Sequence, residues 1–162
     1  PARLLPTIRS RCRQLRLFPL PPGESAQVLE AENPGLAPGA LASLVALSDG
    51  APGAVADLAG TDLVALEQQL ARIAAGAGAE ALALARSLQP TSAVPRLRAL
   101  LALVPRRLAA AARRHPDPRL LDLHAEAERL ARDAIRLAYD RPQVAMALAD
   151  ITARAGRIQD SR

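Results

Sequence analysis

Apolar residues recur with helical spacing along most of this chain. Leu63, Leu66, Leu70 and Ile73 stand three or four positions apart, the pattern of a helix with one face in a core. Leu97, Leu101, Val104, Leu108 and Ala112 repeat it. So do Leu120, Leu123, Ala127, Leu130, Ala134 and Leu137, and then Val144, Leu148, Ile151, Ala155 and Ile158. Residues 80–88 read as a shorter, Ala-rich helix. Gly76-Ala77-Gly78 and Gln89-Pro90 supply stops, while Asp117-Pro118 and Asp140-Arg141-Pro142 each offer an aspartate cap before a first-turn proline. Ser92 is a candidate cap, and Pro105 is expected to kink or split its stripe. Four or five amphipathic helices on short loops predict an α-helical bundle over residues 61–162.

Upstream the elements shorten. Residues 25–32 predict a helix stopped by Asn33-Pro34-Gly35. A second starts near Pro38, carries Leu41, Leu44, Val45 and Leu47, and ends at Ser48-Asp49-Gly50; a third follows Pro52 and ends at Gly60. Residues 14–18 alternate polar and apolar, with Leu15 and Leu17 on one face, and predict a short strand. Pro19, Pro21, Pro22 and Gly23 end it as a linker. The expected fold class is mainly α with this one strand.

Charge divides the chain into three stretches. Residues 1–20 carry five arginines and no acid, residues 21–71 seven acids and no base, and residues 72–162 sixteen arginines against nine acids. There is no lysine and no tryptophan, with one Phe and one Tyr. The later arginines interleave with acids and no aromatics are available for base stacking, so solvated helix faces account for most of them. The acids Glu24, Glu30 and Glu32 read the same way. A single cysteine permits no intrachain disulfide and no Cys-rich zinc site, which suits a reducing, cytoplasmic setting. No uninterrupted 18-residue apolar run predicts a membrane span, and no signal peptide is evident. His115 in a Pro-flanked loop and His124 on a helix lack the further ligands a metal set needs. Met146 reads as core. The first residue is Pro1 rather than Met, and the chain is expected to be the C-terminal part of a longer protein.

The chemistry sits near the start. Leu4-Leu5-Pro6-Thr7-Ile8-Arg9-Ser10-Arg11-Cys12-Arg13 resembles the Ser-Arg-Cys signature of AAA+ clamp-loader subunits. The resemblance implies that Arg11 is an arginine finger reaching a neighbouring subunit's ATP, with Ser10 and Cys12 as its motif neighbours. A guanidinium suits that role because it stays charged and its planar donor fork matches phosphate oxygens. Cys12 reads as a small buried residue at the strand start rather than a nucleophile.

A second resemblance lies at residues 48–54. In ATP-hydrolysing loader subunits the third lid helix opens with a glycine followed three residues later by the sensor-2 arginine. Here Gly50 is followed by Gly53, which has no side chain to offer a phosphate. Ser48-Asp49-Gly50-Ala51-Pro52-Gly53-Ala54 is similar instead to the form in delta-prime subunits of the bacterial DNA polymerase III loader, which keep the finger without hydrolysing ATP. The resemblance implies residues 1–20 as the end of an AAA+ core, residues 21–60 as a three-helix lid and residues 61–162 as a collar used for oligomerisation. It implies no enzyme activity or cofactor of its own. The partners would be the gamma/tau and delta subunits, the ATP of a neighbour, and the sliding clamp and primed DNA reached through the assembled complex. The alternatives are a gamma/tau ATPase subunit, which should carry an arginine near Gly53, and a basic helical nucleic-acid-binding module.

Overall fold

The computed structural model describes Thr7, Arg11, Cys12, Arg13 and residues 15–161. Among these the chain forms seven α-helices and no strand, so the protein is mainly helical. The helices are α1 (Pro22–Glu32), α2 (Pro38–Ser48), α3 (Leu63–Ala74), α4 (Gly78–Ser87), α5 (Val94–Arg114), α6 (Pro118–Arg136) and α7 (Arg141–Asp160). No helix among the described residues is long and apolar enough to cross a membrane.

Proline and aspartate set the helix starts. Asp62, Asp117 and Asp140 are N-caps whose carboxylates accept from the backbone N–H of Ala65, Arg119 and Gln143. Each satisfies a donor that the first turn would otherwise leave orphaned. Helix α1 begins at Pro22, three residues before the expected start, because the fixed φ of proline suits a first turn whose N–H has no helical partner. The linker therefore ends at Pro21.

The apolar stripes meet in one continuous core running from Leu29 and Leu44 through Leu66, Leu70, Leu100 and Leu120 to Leu148 and Ile151. Helix α7 is central to the second half, packing on α3, α4, α5 and α6. It comes close to α3 at Gly156, where an added Cβ would lie 2.7 Å from the carbonyl carbon of Ala74 at the end of α3. Helices α1 and α2 pack on each other, and α2 joins the rest of the core through α3 and α5.

Four sequence expectations change. The segment after Pro52 forms two 3₁₀ turns, Pro52–Ala54 and Ala56–Leu58, in place of a third helix. Val55 between them has φ −132° and ψ −2°, outside the helical region, and its buried side chain anchors the break. Pro105 does not split its helix: α5 runs unbroken from Val94 to Arg114. Proline costs an interior helix about 3 kcal/mol, and here Leu101, Leu103, Val104, Pro105 and Leu108 are all buried, so tertiary packing outweighs that cost. Ser92 lies in the 3₁₀ turn Thr91–Ala93 and caps nothing; Ala93 precedes the helix. Met146 and Leu137 are exposed, because α7 turns Val144, Ala145 and Leu148 inward and α6 has ended by Leu137.

Candidate functional site

Arg11 lies in a turn and is exposed; it makes no ion pair or hydrogen bond with any described residue. No described group competes for its guanidinium. Ser10 falls outside the described residues. Cys12 is exposed rather than buried. The expected strand of residues 14–18 provides the reason. Gln14 lies outside the described residues, and residues 15–20 carry no regular structure. A strand needs a neighbour to complete its ladder, and there is no strand among the described residues to pair with. With no sheet among the described residues, Cys12 stays exposed.

The same segment holds three large apolar side chains in water: Leu15 is 77% exposed, Leu17 93% and Phe18 77%. Burying each would be worth roughly 1.5–3 kcal/mol. The segment thus places a free arginine and an uncovered apolar strip within a few residues.

From Pro19 onward the chain is tied down. The Leu20 N–H donates to the Gly50 carbonyl at 2.9 Å. Asp49 and Gly50 turn the corner after α2 with φ of 47° and 80°, both left-handed. Ser48 braces the corner: its hydroxyl donates to the Val45 carbonyl at 2.8 Å and accepts from the Gly50 N–H at 3.3 Å. Gly50 is required twice over. Its φ disfavours any Cβ, and a Cβ there would stand 2.5 Å from the Cβ of Pro19 and 2.9 Å from the Leu20 backbone.

Gly53, three residues on, is different. It is exposed, and an added Cβ would meet nothing within 4 Å. Packing does not demand glycine there, so the missing side chain at the position matching sensor-2 is not forced by the fold. The motif alone could not separate these glycines; the close approach of Pro19 and Leu20 does.

Beside the corner, a cavity of about 710 Å³ opens between the linker, α1 and α2, lined by Leu20, Ala26, Leu41, Val45 and Ala46. Ser25 also lines it, and the buried hydroxyl of this residue has no hydrogen-bond partner in the structure.

Farther along, a polar network crosses α3, α4 and α5. Arg96 donates to Gln69 Oε1 at 3.0 Å, Gln69 donates to a Glu80 carboxylate oxygen at 3.1 Å, and Arg72 Nε donates to the other at 2.7 Å. The hydrogen bond from Arg72 holds the Glu80 carboxyl below its ordinary value. Sequence periodicity places Gln69 in the middle of an apolar stripe but does not predict its partners.

The two histidines stand apart. His115 ends α5, exposed; His124 Nδ1 lies 3.1 Å from the Pro105 carbonyl. Since a carbonyl only accepts, that contact places the proton on Nδ1. No group of three or more His, Cys, Asp or Glu among the described residues could hold a metal ion. Compared with known proteins, the chain matches no protein-family model, no curated sequence and no solved structure.

Proposed function

We propose that this chain is the C-terminal portion of a delta-prime-type subunit of the bacterial DNA polymerase III clamp loader, acting in the cytoplasm. In this reading Arg11 is the finger given to a neighbouring gamma/tau ATPase site, and the chain hydrolyses nothing itself. The observation that carries the reading is the exposed Arg11, unpaired among the described residues, beside the exposed Leu15, Leu17 and Phe18. Such a strip suits the edge of a nucleotide-binding sheet, and its arginine suits delivery across a subunit boundary. Gly53 supports the non-hydrolysing type over gamma/tau: a Cβ there would meet nothing within 4 Å, and the chain carries no arginine at that position.

The helices of residues 61–162 would form the collar. Leu82 on α4, Leu121 and Ile135 on α6 and Met146 on α7 are exposed, and apolar side chains of this kind suit packing against gamma/tau and delta neighbours. The assembled ring would then load the sliding clamp onto primed DNA.

Replacing Arg11 with Ala in the full-length subunit of a reconstituted loader tests the reading. The variant should assemble with the other subunits, while DNA-stimulated ATPase at the adjacent site and clamp loading fall steeply, a finger being worth roughly 10³-fold or more at the site it serves. Wild-type rates in the variant would remove the assignment.

A further inference from the structure

The arginines of this chain are not all neutralised alike. Arg72, Arg98, Arg119, Arg132, Arg136 and Arg154 each sit within 4 Å of a carboxylate. The second half of α5 has no such pairing. Arg106, Arg107, Arg113 and Arg114 make no ion pair or hydrogen bond with any described residue. Arg113 and Arg114 are exposed, and Arg106 and Arg107 are half-buried.

Helix geometry gathers them. Seven residues are nearly two full turns, so Arg113 stands over Arg106 and Arg114 over Arg107, about 10 Å apart along the axis. The result is two short rows of guanidinium groups on adjoining faces. Burial pushes Arg107 below its usual basicity, and repulsion from Arg114 adds a smaller push the same way. One acid opposes this, Glu67 on α3, whose carboxylate already accepts from Ser43 at 3.1 Å. Asp117 follows shortly in sequence, but it is buried and held by Arg119. Four guanidinium groups gathered against one nearby acid cost stability, and such an arrangement points to a ligand that supplies the missing charge.

The surroundings identify the ligand's class. Protein partners centre their contact on aromatic, apolar and arginine anchors packed together. On α5 itself the one large exposed apolar residue is Val94, at the far end of the helix from Arg113 and Arg114; the nearest in sequence beyond them is Leu121 on α6. Between the arginine pairs on the outer side stand only Ala109 and Ala110, small enough for a polymer backbone to come close. Arginine without apolar anchors is the pattern of phosphate contact, which positions a nucleic acid without reading its bases.

We propose that the second half of α5 binds the phosphodiester backbone of nucleic acid through Arg106, Arg107, Arg113 and Arg114. The surface is independent of the Arg11 assignment and lies far along the chain from it. The test measures the 162-residue chain against a fluorescein-labelled DNA duplex by anisotropy between 50 and 200 mM NaCl. Four phosphate contacts predict a slope of log affinity on log salt near −3.6, or roughly a 150-fold loss across that range. R113Q/R114Q should reduce the slope by about 1.8, as should R106Q/R107Q. Both residues of the first pair are exposed, so that variant tests the surface even where the second fails to fold. R132Q/R136Q, which removes two arginines already paired on α6, should leave the slope unchanged. Absence of salt-dependent binding, an unchanged slope in R113Q/R114Q, or an equal loss in R132Q/R136Q would overturn the proposal. So would poly-glutamate binding as tightly as DNA, since the site would then be one for acidic protein.

Discussion

Replacing Gly156 with Ala puts one methyl group where α7 crosses the end of α3. The new Cβ would stand 2.7 Å from the carbonyl carbon of Ala74 and 3.0 Å from its Cα, and closer still to its carbonyl oxygen. Ordinary carbon–carbon contact is about 3.5–4.0 Å, so the helices must part by roughly 1 Å. Every obstructing atom is backbone, and no side chain can rotate away. Two terms oppose each other. Alanine is the better helix former by about 1 kcal/mol. Against that, overpacking costs about 1–3 kcal/mol, and a gap of 0.5–1 Å forfeits roughly a quarter to a half of each contact along the seam. That seam includes Leu70, Ile73, Ile151 and Ala155, all buried. The clash should win by about 1–2 kcal/mol, lowering Tm by roughly 2–8 °C for a chain of this size. Thermal melts followed by circular dichroism, with urea titrations to check for an unchanged m-value, measure it. Gly39→Ala is the control: its Cβ would meet Val64 Cγ2 at an ordinary 3.7 Å, so helix propensity should raise stability by up to about 1 kcal/mol. A G156A protein as stable as wild type, beside a stabilised G39A, would refute the claimed closeness of the crossing.

Gly50→Ala should destabilise by about 1–2 kcal/mol from its left-handed φ alone, and more once Pro19 and Leu20 are displaced. Hydrogen exchange should show the Leu20 amide losing protection, and unchanged protection would mean that the linker does not rest there. Glu80 should contribute pH-dependent stability. Its folded pKa is depressed, so the contribution is present above the ordinary value of 4.5 and is lost as pH falls through the lower folded value. E80Q should therefore be less stable than wild type at pH 7, and the difference should vanish in acid. A difference independent of pH would detach the effect from the Arg72 pair.

The helices of the second half were legible because each rule acts locally. The Leu63 and Leu120 stripes, and the Asp-Pro starts at Asp117 and Asp140, needed no tertiary information. Where the reading failed, distant contacts decided. Pro105 does not split its helix, because Leu101, Val104 and Leu108 around it are buried, and Met146 faces water because α7 turns other residues inward. The strand at residues 14–18 satisfied its alternation, yet a strand is a relation between two segments, and none of the described residues pairs with it. At the candidate site the glycines of residues 48–54 were visible as a motif. Their inequality was not: Gly50 is crowded by residues thirty positions earlier, and Gly53 faces open space. The arginines of α5 were countable in the sequence, whereas their lack of partners depends on where every carboxylate comes to rest.

The seating of Pro19 and Leu20 on Gly50 has a mechanical consequence. Three prolines in positions 19–22 leave few free torsions, so this stretch behaves as a stiff strut. Leu20 within it is hydrogen-bonded to Gly50, in the turn preceding Gly53, and its far end, Pro22, opens α1. A pull on the residues before Pro19 should therefore load both that turn and α1, which follows the strut directly.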